Sequence, residues 1–179
     1  MIKSVTINLE VIESMLYYWS TVVDREKVNE SFFVDVANME AMKLVQSPEF
    51  TEESIRKVLS SIQNRELLSA ATKPEKRFWS KNMWIAEDVS LATKMAQPVK
   101  VLNVDDLVEK LNEKYPNSNL EKITVHIAPL HIDPYYIFGD ALVINFFTIY
   151  FDENDNAVVD GKPLKDYVFE RLCELVEKN

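Results

Sequence analysis

The chain is 179 residues long, and 47% of these residues are hydrophobic and 27% are charged. This length suits one domain, or one domain with a substantial appendage, and its apolar content supports a core that needs no metal or disulfide. The net charge of −9 disfavours general nucleic-acid binding, because an acidic surface repels phosphate backbones.

The first half of the chain has the apolar spacing of amphipathic helices. Four helices are predicted, over residues 8–23, 25–45, 52–64 and 73–95. Asn8, Thr51 and Thr72 are expected to cap three of them, and Thr72 opens a capping box. Residues 2–7 are an alternative short strand before the first helix, and Pro98 is expected to close this helical section.

The second half of the chain mixes short strands with two helices. The predicted elements are a strand at 99–102, a helix capped by Asn103 or Asp105, a strand at 123–127, a long strand at 141–151, a short strand at 157–159 and a helix from Leu164. Pro129 and Pro134 make residues 129–140 an irregular loop. The predicted order of this half is therefore β-α-β-β-β-α.

The stretch from Ala141 to Phe151 is apolar at both its odd and its even positions. A strand with this pattern has both faces covered, and its length of roughly 36 Å would cross a small domain. We therefore expect a central strand. Asn145 is the one amide on its odd-numbered face, so we expect it to bond to a neighbouring element or to line a cavity.

These elements predict an α+β fold in which a helical N-terminal section packs on a small mixed sheet. The helical section covers residues 1–97, and the α+β section covers residues 98–179. The long strand needs cover on both faces, and the two helices of the second section do not suffice for this. We therefore expect one integrated globular unit rather than two independent domains.

Several common functional motifs do not occur in the sequence. Gly139 and Gly161 are the only glycines, which excludes the phosphate-binding and dinucleotide-binding loops, and neither HExxH nor GxSxG is found. The N-terminus lacks the apolar run of a signal peptide, and no apolar segment has the length of a membrane span. We predict a cytoplasmic protein with no cofactor and no membrane partner.

Both histidines of the chain lie close to an aspartate. His126, His131 and Asp133 have the chemistry of metal ligands, and two imidazoles with a carboxylate suit a divalent transition metal. The spacing is not diagnostic, so the favoured interpretation has no metal, with His126 beside Thr124 on a polar strand face and His131 in a loop. The single cysteine, Cys173, is expected to be a small buried hydrophobe.

Three cations recur at four-residue steps on one predicted helix. Lys73, Arg77 and Lys81 share a helix face near Trp84, and like charges at this spacing repel each other. An anionic ligand could offset this repulsion. Carboxylates from elsewhere in this acidic chain are the favoured source, because 29 of them are available.

A cluster of apolar and aromatic residues lies in the proline-rich loop before the long strand. Loops run over the surface, and tyrosine is frequent at interfaces, so part of this cluster is expected to be exposed as a contact patch. The predicted partner-binding residues are Ile132, Tyr135, Tyr136 and Phe138 of this loop, together with Trp84.

The sequence therefore favours a non-enzymatic binding or regulatory protein. Its predicted partner is a second copy in a homodimer or another protein. The alternative is a small metal-dependent enzyme that uses His126, His131 and Asp133. An enzyme built on a pair of carboxylates also stays open, since 29 acidic residues offer many pairs and a sequence gives no distances.

Overall fold

The computed structural model describes every residue from Met1 to Asn179 and confirms the α+β class. The helices are α1 Glu10–Val23, α2 Glu30–Asn38, α3 Glu40–Leu44, α4 Glu52–Gln63, α5 Lys73–Ala86, α6 Val89–Lys100, α7 Asp105–Lys114 and α8 Leu164–Lys178. The strands are β1 Ser4–Asn8, β2 Lys122–Ala128, β3 Tyr135–Phe138, β4 Ala141–Asn145, β5 Tyr150–Phe151, β6 Ala157–Val159 and β7 Lys162–Pro163.

The larger sheet is small and mixed, as the sequence predicted. Its strand order is β1-β2-β4-β3, in which β1, β2 and β4 are parallel and β3 is antiparallel to β4. The strand β3 is therefore an edge strand with one hydrogen-bonded neighbour. The strands β5, β6 and β7 form a separate antiparallel sheet.

Helices cover both faces of the larger sheet. Tyr135 and Tyr136 are adjacent on β3, so their side chains point to opposite faces. The Tyr135 hydroxyl donates to Glu174 of α8 at 2.7 Å, whereas Tyr136 stacks beside His131, which stacks on Phe50. The N-terminal helices thus lie on one face and α8 on the other, and a single core cluster joins buried side chains of both sections.

Capping side chains fix where the predicted helices begin. Thr51 Oγ1 accepts a hydrogen bond from Ser54 N at 3.2 Å and starts α4. Thr72 Oγ1 accepts from Glu75 N at 3.3 Å, and Glu75 Oε1 accepts from Thr72 N at 2.8 Å, which completes the capping box of α5. The capping predictions for Thr51 and Thr72 are confirmed. The prediction for Asn8 is wrong by one position, because Leu9 stands at the N-cap of α1 and Asn8 ends β1, although Asn8 Oδ1 accepts from Glu10 N at 3.0 Å.

Two predicted long helices are each broken in two. The helix predicted over 25–45 is interrupted at Met39, whose backbone is extended, and forms α2 and α3. The helix predicted over 73–95 ends at Ala86, and Asp88 Oδ1 accepts from Leu91 N at 3.1 Å to cap α6. Apolar spacing continues across such breaks because both pieces pack on the same core, so it could not locate them.

The strand predicted at 99–102 is wrong, since Val99 and Lys100 belong to the last turn of α6. Pro98 lies inside this helix rather than after it. A proline near the end of a helix removes only one backbone bond, and Val99 is buried in the core. Burial therefore outweighs the local preference of this β-branched segment.

The strand predicted from Ala141 to Phe151 is correct in burial but wrong in length. All five residues of β4 are buried, as a strand covered on both faces requires. The strand ends at Asn145, whose Oδ1 accepts from Phe147 N at 3.1 Å and opens a 3-10 turn over 146–148. The chain then enters the second sheet at Tyr150.

The loop predicted over 129–140 is also only partly correct, because Tyr135–Phe138 forms β3. Asn145 N donates to Pro134 O at 2.9 Å, so the proline stands at the start of the ladder and uses only its carbonyl. A proline is tolerated at the first position of an edge strand. The aromatic residues are consequently sorted to two faces of the sheet.

Candidate functional site

A pocket of about 310 Å³ lies where the parallel strands β2 and β4 end. Its lining residues are Lys73, Lys76, Arg77, Ser80 and Lys81 of α5, Leu130, His131 and Ile132 of the loop after β2, and Asn145 at the end of β4. In sheets with parallel strands, ligands commonly bind outside the carboxyl ends of the strands. The position of the pocket therefore makes it the candidate site.

The wall formed by α5 is cationic. The helix buries Phe78 and Ile85 in the core, which turns Lys73, Lys76, Arg77 and Lys81 outward. We name these four residues the α5 cations. Lys76 and Arg77 lie three and four positions after Lys73, and Lys81 lies four positions after Arg77, so the four residues share one side of the helix.

No carboxylate neutralises the α5 cations. None of them forms a salt bridge, and Lys81 Nζ lies 5.6 Å from the centroid of the Trp84 ring. The expectation that acidic side chains would offset Lys73, Arg77 and Lys81 is wrong. Unpaired cations occur elsewhere on the surface, but α5 brings four to the wall of one pocket.

His131 lies at the pocket and is 6% exposed. Its ring stacks on Phe50 with the ring centroids 3.9 Å apart, and its Nε2 is 3.4 Å from the Tyr136 hydroxyl. Its Nδ1 is buried and has no hydrogen-bond partner. Burial lowers the pKa of His131 to about 4, so the imidazole is neutral at pH 7 and offers a hydrogen bond rather than a charge.

Asn145 holds the loop that carries His131. Its Oδ1 accepts from Leu130 N at 3.1 Å, and its Nδ2 donates to Asp133 O at 3.2 Å. The side chain is buried and also lines the pocket. The prediction for Asn145 is confirmed in both alternatives, since its side chain bonds to a neighbouring segment and also lines a pocket.

An aromatic row runs from the core past the pocket to the edge of the sheet. The row consists of Phe50, His131, Tyr136 and Phe138, with successive ring centroids 3.9, 6.0 and 5.8 Å apart. Phe50 is fully buried and Phe138 is 36% exposed. The row therefore joins the pocket to the surface of β3.

The predicted contact residues do not form one patch. Ile132 and Phe138 are each 36% exposed and Trp84 is 44% exposed, while Tyr136 is partly buried. Tyr135 lies on the opposite face, where the guanidinium of Arg171 is 4.7 Å from its ring centroid. The structure thus separates Tyr135 from the surface that carries the pocket.

The residues of the metal-site alternative do not form a set of metal ligands. The structure contains no group of three or more His, Cys, Asp or Glu side chains that could hold a metal ion. His126 is 1% exposed rather than on a polar strand face, because α1 and α3 pack on β2. Its Nε2 is 3.7 Å from Glu40 Oε1, and burial lowers its pKa. Cys173 is buried, as predicted.

Sequence reasoning missed two members of the α5 wall of the pocket, Lys76 and Ser80. Lys76 follows Lys73 by three residues, and Ser80 follows Arg77 by three, so both lie on the same side of α5. A search at three-residue as well as four-residue steps would have found them. The opposing wall could not be found this way, since it comes from the other half of the chain.

Comparisons of the chain with protein-family models, with curated proteins and with solved structures gave no match. None of the eight helices is both long and apolar enough to cross a membrane. The fold and the pocket together define an α+β protein with an uncompensated cationic site at the carboxyl ends of its parallel strands.

Proposed function

We propose that the protein is a non-enzymatic binding module that takes an anionic segment of a partner protein in this pocket. The observation that carries the proposal is the set of α5 cations, which line one pocket and form no salt bridge. Four uncompensated positive charges are unfavourable in the unbound protein and become favourable when an anion binds. The rest of the chain is acidic, so an anionic partner is steered to this site and repelled elsewhere.

Exposed apolar side chains beside the cations favour a protein partner. Trp84 stands next to Lys81 on α5, and Ile132 lines the pocket from the opposite side. Tryptophan and arginine are the residues most often found as energetic anchors of protein interfaces. A partner segment that carries both acidic and apolar side chains matches this surface.

The chemistry of the pocket suits binding better than catalysis. Ser80 is the only hydroxyl side chain in its lining, and no hydrogen bond joins it to His131. A serine acts as a nucleophile when a base takes its proton, and the His131 Nε2 lies 3.4 Å from the Tyr136 hydroxyl instead of bonding to Ser80. The lining therefore supplies donors and charge without an activated nucleophile.

The proposal is tested with hexaglutamate as the anionic probe, titrated into the protein by calorimetry at low salt. The triple variant Lys73→Glu, Arg77→Glu, Lys81→Glu should bind at least about tenfold more weakly, because the pocket loses its attraction for carboxylates. Lys27→Glu, Lys43→Glu, Lys100→Glu is the matched control, with the same change in net charge at exposed lysines outside the pocket. Equal weakening by both triple variants would reject a specific site.

Self-association is a second candidate, and the free edge of β3 favours it. Asn145 N bonds to Pro134 O, and hydrogen-bonded pairs alternate along an antiparallel ladder. The backbone groups of Tyr135 and Ile137 therefore point away from β4. A second copy related by a two-fold axis can pair with them through its own β3, which places the dimer contact on the strand edge and not on the α5 cations.

A further inference from the structure

We propose that the pocket is a subsite for a phosphomonoester, carried by a phosphorylated side chain of the partner segment. This inference rests on the proposed function, since it names the anion that the same site takes. A carboxylate and a phosphomonoester are both anions, so the choice between them depends on charge, on the number of donors and on the unpartnered groups at the site.

The charge of the pocket exceeds what a carboxylate can balance. The α5 cations bring four positive charges to one wall, and no acidic residue is among the lining side chains. A carboxylate carries one negative charge, whereas a phosphomonoester carries about 1.5 to 2 at neutral pH. The phosphomonoester therefore has the stronger electrostatic attraction to this wall, and it balances more of the positive charge.

The donors of the pocket also outnumber the acceptors of a carboxylate. Arg77 offers a planar fork of donors, each lysine offers three N–H groups, and the Ser80 hydroxyl offers one more. A phosphomonoester presents three strong acceptor oxygens around one atom and can bond to several of these groups together. Arginine in particular matches two phosphate oxygens with two parallel hydrogen bonds.

His131 provides a second, independent observation, because one of its ring nitrogens has no hydrogen-bond partner. Its side chain is more than nine-tenths buried at the pocket, and its Nδ1 has no partner. When the Tyr136 hydroxyl donates to Nε2, the proton of the neutral ring resides on Nδ1, which is then a donor without an acceptor. A buried polar atom without a partner in a native protein calls for a water, ion or ligand. Because Nδ1 itself is fully buried, an oxygen of a bound phosphate becomes that acceptor when the His131 ring turns toward the pocket.

The size of the pocket and its rim fit a phosphorylated side chain. The volume of about 310 Å³ admits a phosphate and the end of the side chain that carries it. Ile132 lines the pocket and is exposed, and the exposed Trp84 lies beside Lys81, so residues that flank the phosphate can contact these side chains. A nucleic acid also carries phosphates, but the chain's charge of −9 opposes an extended polyanion more than a single group.

The test compares three short peptides of uncharged residues that differ only in a central phosphoserine, glutamate or serine. Calorimetry at constant ionic strength should show the phosphoserine peptide binding at least about tenfold more tightly than the glutamate peptide. Arg77→Ala should abolish this difference, while Lys100→Ala, an exposed lysine outside the pocket, should leave it within about twofold. His131→Phe keeps an aromatic ring on Phe50 and should weaken only the phosphoserine peptide.

The outcomes separate this inference from the proposed function. Equal affinity for the phosphoserine and glutamate peptides overturns the phosphate subsite and leaves the anion-binding module standing. If none of these peptides binds, and neither hexaglutamate nor inorganic phosphate binds, the phosphate subsite and the anion-binding module are both overturned. If inorganic phosphate binds as tightly as the phosphoserine peptide, the ligand is a free phosphate compound. That result overturns the proposal that a partner protein carries the phosphate. An oligothymidine that binds more tightly than the peptide overturns the inference in favour of nucleic acid.

Discussion

Asn145 Oδ1 accepts a hydrogen bond from Leu130 N at 3.1 Å, and this bond ties the end of β4 to the loop that forms one wall of the pocket. The same oxygen accepts from Phe147 N at 3.1 Å and opens the 3-10 turn. One amide therefore ends the central strand, redirects the chain to the second sheet and holds His131 in place. Fold and candidate site depend on the same side chain.

Replacing Asn145 with leucine should strongly destabilise the protein. The substitution leaves the buried N–H groups of Leu130 and Phe147 without an acceptor, and each costs about 1–3 kcal/mol. We expect the free energy of unfolding, measured by urea denaturation, to fall by about 2–4 kcal/mol. Asn154→Ala, at an exposed turn, is the matched control and should change it by no more than about 0.5 kcal/mol. A comparable loss in both variants would contradict this role.

The features that were predictable from sequence depend on near neighbours in the chain. The caps at Thr51 and Thr72 need only the following three residues, and the cationic side of α5 needs only helical spacing. Asn145 stood out because a buried amide must find partners wherever the chain places it. These predictions required no knowledge of tertiary contacts.

The features that were missed depend on which distant segments meet. Whether carboxylates neutralise Arg77 is a question of distances between elements, and only the structure brings α5 against the loop after β2. Likewise, β3 exists because β4 offers it a neighbour, although Pro134 precedes it in the sequence. The break after Asn145 escaped notice because its apolar neighbours are buried in either conformation.

His131 should make the protein sensitive to mild acid. Its pKa is lowered by burial from 6.5 to about 4. Between these pH values the histidine is protonated in the unfolded chain and neutral in the folded protein. The resulting stability is fully present above pH 6.5 and is lost as the pH falls toward 4, by about 2–3 kcal/mol in total. In His131→Phe this loss should vanish, as measured by urea denaturation at pH 7, 5.5 and 4.5.

His126 titrates in the same direction and provides the internal control for that measurement. Its pKa is also lowered by burial, and it is present in both proteins, so its contribution cancels in the difference. Parallel curves of unfolding free energy against pH for the wild type and His131→Phe would show that His131 is not held neutral in the folded protein.

Glu75 should contribute a second, more acidic dependence. Burial raises the pKa of Glu75, but hydrogen bonds from Thr72 N and the Lys57 ammonium outweigh this and hold it below 4.5. The stability from the ionised form is therefore present above pH 4.5 and is lost as the pH falls through the lower folded pKa. Glu75→Gln should cost about 1–3 kcal/mol at pH 7, and this cost should shrink in acid.

The control for Glu75→Gln is Glu66→Gln, since Glu66 is exposed and forms no salt bridge. Urea denaturation at pH 7 should show no significant change for the control. A cost of Glu75→Gln that stays constant from neutral pH down to strong acid would mean that the packing of the side chain matters and its charge does not.

The wild-type protein should form a homodimer through β3 at micromolar concentration. Ile137 presents its N–H away from β4 on the edge strand, and a second copy can accept that hydrogen bond. Light scattering should give twice the chain mass of 20.8 kDa, and Ile137→Pro should return the mass to 20.8 kDa because proline has no N–H. Ile137→Val keeps both the N–H and a β-branched side chain, so it should remain dimeric. A wild-type mass of 20.8 kDa across this range would reject the homodimer and leave the α5 site as the proposed contact with other proteins.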